Sequence, residues 1–177
     1  MGCDLYAIET PSDYNPDAGP DLFYFRFGWT GMSLIVETLA AVDAIDFDTP
    51  CPEFPDFPAR PQDWSARKEW DHNSDHAQAR AYNDAADAVR RTPGIDNKPP
   101  QWKFGSNDGW VITPEECASI DTALRSLTRE DVEYALGEEL DEGAVITEEA
   151  VESWLRQCRA FADYCRRCRD LGGFAVC

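Results

Sequence analysis

"TEEAVESWLRQCRAFADYCRRCRDLGGFAVC" (147–177) decides how the chain is read, because it turns from helix to strand within a few residues. Thr147 is a capping residue, and Val151, Trp154, Leu155, Cys158, Phe161, Ala162, Cys165 and Cys168 recur at three-and-four spacing. That period predicts one amphipathic helix running to about Leu171. Gly172-Gly173 ends it, since glycine enters left-handed backbone without a side-chain penalty. The closing Phe-Ala-Val-Cys (174–177) is short, apolar and extended. At the other end, residues 4–9 include Leu5, Tyr6, Ala7 and Ile8, the composition of a buried strand. The two termini are therefore expected side by side in a small sheet with four to five helices around it. The fold class is α+β, predominantly helical.

Working inward, "LFYFRFGW" (22–29) reads as an aromatic extended segment with Arg26 among the rings. Trp29, Met32, Ile35, Leu39, Val42 and Ile45 mark one face of a helix over about 31–46. Residues 48–63 place five prolines between Pro50 and Pro61. Proline cannot donate to a ladder and biases its predecessor toward extended backbone, so this segment is an extended arm that Phe54 and Phe57 can anchor. A polar helix over 64–91 follows, with Trp64, Trp70, Ala77, Ala81, Ala85 and Val89 as its inner face. Arm and helix together read as an insertion in a single domain, 1–177. Thr113-Pro114-Glu115-Glu116 is a complete helix start, with a threonine cap, proline at the first position and a glutamate able to bond back. A further helix is expected over about 129–140.

Thirty-four acidic residues against sixteen basic ones give a net charge of −18. Such a surface repels phosphate backbones, which argues against direct nucleic-acid binding, and attracts basic protein surfaces. Nothing approaches the apolar length of a membrane span, so a cytoplasmic protein is expected. The seven cysteines do not form paired CxxC motifs of a zinc site. Cys165-x-x-Cys168 continues the apolar stripe of its helix and reads as core.

Two constellations could carry chemistry. His72 and His76 lie four apart and could chelate a metal, although Asn73 stands where a zincin motif needs glutamate. The second gathers Arg26, Trp29, Trp102, the Asn107-Asp108-Gly109 turn and Trp110. If Arg26 faces inward it needs a counter-charge, for which Asp108 is the candidate. Either the pair staples the turn to the aromatic strand, or these residues wall a ligand pocket whose rings and guanidinium suit a nucleotide-like molecule. No nucleotide-loop, Rossmann or nucleophile-elbow motif occurs, and no cofactor is implied.

Four blocks in order, "MGCDLYAIE", "YFRFGWTGMSLIVETL", "SNDGWVITPEECASIDTAL" and "FADYCRRCRDLGGFAVC", resemble a group of small uncharacterised proteins encoded by phages, prophages and other bacterial mobile elements. The resemblance rests on Tyr24, Phe25, Arg26, Trp29, Asn107, Asp108, Gly109, Gly172, Gly173, Phe174 and Cys177. The chain departs from the group where Gly28-Trp29-Thr30-Gly31 replaces a more Trp-rich run, and in its proline arm and His-bearing helix. The resemblance implies a context, the cytoplasm of an infected host. The leading expectation is a non-catalytic binding protein that counters host defence by capturing a nucleotide-like small molecule in the aromatic pocket. The alternative is an acidic inhibitor, a nucleic-acid mimic, that binds the basic surface of a host defence or CRISPR-type protein. A metal-dependent enzyme using His72 and His76 is the third reading. A homo-oligomer is compatible with each.

Overall fold

The computed structural model describes residues 2–9, 22–56, 77–139 and 145–177. β1 (Gly2–Ala7) is an inner strand of a four-stranded antiparallel sheet. On one side it pairs with β2 (Tyr24–Gly28), setting Asp4 opposite Arg26 and Tyr6 opposite Tyr24. On the other it pairs with the C-terminal strand, Phe174–Val176, which pairs in turn with Trp110–Ile112. The termini are neighbouring strands, and the fold is α+β and helix-rich.

In chain order the helices are α1 (Trp29–Ala41), α2 (Ala77–Arg90), α3 (Pro114–Ser126), α4 (Arg129–Glu139) and α5 (Glu148–Arg169). β3 (Trp110–Ile112) precedes α3 and β4 (Phe174–Val176) follows α5. Strand alternation sends Cys3, Leu5, Phe27, Ile112, Phe174 and Val176 into the core. There Phe27 meets the edge of Phe161 at 5.0 Å, and Tyr164 lies 5.3 Å from Phe174. Trp154 of α5 donates from Nε1 to Thr38 Oγ1 of α1 (2.9 Å), so a buried indole is satisfied where these helices meet.

The α3 start carries the capping box in full. Glu116 N donates to Thr113 Oγ1, and Thr113 N donates to Glu116 Oε2. Gly172 and Gly173 close α5 with φ of +74° and +92°. A Cβ on Gly173 would stand 2.0 Å from the Ile112 carbonyl oxygen, so close strand approach as well as backbone sign requires glycine there.

α1 ends at Ala41, short of the expected 46. Asp43 adopts φ +53°, and the Ala44 and Asp43 amides donate to Leu39 and Ala40 carbonyls, a Schellman stop made without glycine. Val42 and Ile45 prolong the apolar pattern beyond the helix, and Ile45 is buried.

By packing, the chain divides into two compact units, Met1–Pro50 with Pro93–Cys177, and Cys51–Thr92. In the smaller unit Arg90 of α2 lies over the Phe54 ring, 5.5 Å from its centroid. The covered face of α2 runs through Tyr82, Ala86 and Val89, whereas Ala81 and Ala85 are exposed, contrary to the expected inner face. Phe57, Trp64, Trp70, His72 and His76 lie outside the described residues.

Candidate functional site

Arg26 and the Asn107-Asp108-Gly109 turn belong to opposite edges of the sheet, whose order is β2-β1-β4-β3. Three strand spacings, roughly 14 Å, separate the edges. The counter-charge of Arg26 is Asp4, across the β1–β2 register, with Nε 3.5 Å from Oδ1. Arg26 points to the outer, solvated face, so the expected inward guanidinium paired with Asp108 is replaced by an exposed cross-strand pair. Trp29 is the first residue of α1.

The turn itself is braced by its indoles. Trp102 and Trp110 meet edge-on at 4.5 Å. Trp102 Nε1 donates to the Thr49 carbonyl (3.0 Å) and Trp110 Nε1 to Ser106 Oγ (2.9 Å). Gly109 takes φ +73° and its amide donates to the Val176 carbonyl. Asn107 and Asp108 are exposed on the result. The structure thus brings together Trp102, Asn107, Asp108, Gly109 and Trp110, and leaves Arg26 elsewhere.

Behind this turn lies a fully buried ion pair. Lys103 Nζ donates to Glu116 Oε2 (2.7 Å), to Oε1 (2.9 Å) and to the Val111 carbonyl (2.8 Å). Glu116 also accepts from the Gly94 amide. Burial lowers the Lys103 pKa, and the Glu116 carboxylate opposes that shift. Both side chains are wholly buried and every charged atom has a partner among the described residues, the arrangement of a structural pair.

The carboxylates that do face open space lie beside it. Asp46 is 6% exposed. Its Oδ1 accepts from the Asp48 and Thr49 amides and its Oδ2 from the Ile95 amide (2.9 Å). Burial works to raise this carboxyl, but hydrogen bonds from Thr49, Ile95 and Asp48 outweigh it and hold the pKa at about 2. Around Asp46, a concavity of about 400 Å³ is lined by Asp43, Asp48 and Asp96, with Lys98 bridging to Asp43 at 2.8 Å. Phe47 and Ile95 belong to the same wall and are 61% and 53% exposed.

A second hollow of about 450 Å³ shares Asp43 and Asp96 and continues past Glu115 along the outer face of α3. Asp43, Asp96 and Asn97 all take positive φ, the only non-glycine residues to do so among those described. The left-handed backbone costs roughly 1–2 kcal/mol per residue, eased in Asp and Asn by local hydrogen bonding. Sequence reading missed this site because its acids are scattered among thirty-four. The discriminating signal is the Asp46-x-Asp48-Thr49 turn, a spacing at which a carboxylate can accept from downstream amides. A third hollow, about 160 Å³, lies between α1 and Gln101–Gly105 and has Glu37 as its only carboxylate.

All seven cysteines lie outside any disulfide, and five are buried. Burial raises Cys158 to about 12 and Cys168 to about 11, which keeps these thiols protonated. Among the described residues, no group of three or more His, Cys, Asp or Glu is arranged to hold a metal ion, and no helix is long and apolar enough to cross a membrane. Comparison of the chain with protein-family models, with curated proteins and with solved structures found no match.

Proposed function

We propose that the protein is a non-catalytic binding protein that captures a basic surface of a partner protein at the Asp43–Asp46–Asp48–Asp96 concavity. The observation that supports this reading is a carboxylate-lined hollow whose wall also leaves Phe47 and Ile95 largely in water. Acidic groups steer and orient a cationic partner, while apolar side chains on the same wall supply burial that charge alone does not. The hydrogen bonds to Asp46 keep its charge fixed and oriented before any partner arrives. The resemblance to phage-encoded proteins makes a host defence or regulatory protein with a nucleic-acid-binding face the expected partner, and capture of that face would occlude it.

An oligoarginine peptide serves as probe. Two doubly neutralised variants with equal net charge are compared: Asp43→Asn with Asp96→Asn, and Glu130→Gln with Glu152→Gln on exposed helix faces. The first variant loses about tenfold in affinity, as expected for removing two positioned charges, and the second loses less than about twofold. Equal losses in both would show diffuse attraction and end the assignment to this hollow.

A further inference from the structure

We propose a second ligand site, on the outer face of the paired strands β1 and β2, that takes a small anion with a planar base, of the nucleoside monophosphate type. It shares no residue with the acidic concavity and does not depend on it.

Tyr6 is 48% exposed, and its ring centroid lies 5.2 Å from that of Tyr24 on the neighbouring strand. Two residues along β2 from Tyr24, about 7 Å, stands Arg26, its side chain 58% exposed. Asp4 orders the group. It accepts from the Tyr24 hydroxyl at 2.5 Å and faces the Arg26 Nε at 3.5 Å. That arrangement engages the inner edge of the guanidinium, and among the described residues its two Nη groups have no hydrogen-bond partner. Gly2 provides the floor, since a Cβ there would come within 3.0 Å of Arg26 Nε and 3.2 Å of Nη2.

A guanidinium held by one carboxylate, with its Nη donors turned to solvent, is prepared for a phosphate oxygen. An exposed phenol ring beside it offers a face for stacking a heterocycle. The ribose of a nucleotide spans the separation between the two. On the same face Ala175 is half-buried and Val111 is nearly covered. The net charge of −18 repels a phosphodiester chain far more than a monophosphate, which favours a small molecule over a polymer.

The test is an NMR titration of the full chain with AMP, adenosine and inorganic phosphate. AMP at up to about 10 mM, enough to occupy a site of millimolar affinity, shifts Tyr6, Tyr24 and the Arg26 Nε saturably, and adenosine and phosphate bind more weakly. Tyr6→Ser weakens AMP roughly 5- to 150-fold, the range for one stacked base. Tyr6→Phe retains the affinity, and Arg26→Gln makes AMP and adenosine equal. Absence of saturable shifts at these residues overturns the site, as does unchanged AMP affinity in both Tyr6→Ser and Arg26→Gln. The Asp43→Asn/Asp96→Asn variant binds AMP like the parent, so this inference and the proposed partner capture fail or succeed separately.

Discussion

Lys103 and Glu116 show how a single pair of side chains fixes a region. Both are wholly buried, and between them they bind Val111 and Thr113 leading into one helix and Gly94 from a second chain segment. Replacing Lys103 by Met leaves the Glu116 charge buried without its cation, which costs about 3–5 kcal/mol. Adding Glu116→Gln removes that stranded charge and keeps an amide oxygen for one of the two donors, Gly94 N at the Oε1 position or Thr113 N at the Oε2 position. The double variant is therefore more stable than Lys103→Met alone, measured by urea midpoints. A double variant less stable than the single one would contradict this account. The Thr113–Glu116 box was legible beforehand because it is written in four consecutive residues. The partner of Arg26 was not, because Asp4 becomes its neighbour only through strand register. Likewise Lys103 gave no local sign that its charge would be enclosed.

At the level of elements, the segment around Asp46 joins two parts of the larger unit. Its backbone bridges Pro99 and Gln101, and its carboxylate gathers the amides of 48, 49 and 95. The folded-state pKa near 2 lies below the unfolded value of about 3.9. The charge therefore stabilises the fold fully above about pH 4 and stops doing so as pH falls through about 2. Comparison of the parent with Asp46→Asn by urea unfolding shows the largest difference above pH 4, closing as the pH approaches 2. A difference that is constant from pH 6 to pH 2 would place the stabilisation in something other than this charge. Helix positions followed from periodicity, and the pairing of the terminal strands followed from the composition of residues 4–9 and 174–177. The stop of α1 did not, because Asp43 does the work usually given to glycine and the apolar stripe runs on past it. The order of the sheet was equally hidden: four short strands permit several orders, and only packing of the helices selects one.

For the whole molecule, a net charge of −18 says little until its distribution is known. Five of the sixteen basic residues lie on α5, where Arg156, Arg159, Arg166 and Arg169 are exposed. The carboxylates of the concavity have Lys98 alone among their lining residues as a cation. The surface is thus uneven, and a cationic partner has reason to choose one region over another. The measurement that tests this most directly is heteronuclear NMR mapping of an oligoarginine peptide on the full chain. The account predicts that the largest amide shifts fall on Asp43, Phe47, Asp48, Ile95 and Asp96 and fade as salt is raised. Shifts spread evenly over the exposed glutamates of α4 and α5, with those five residues unmoved, would contradict it.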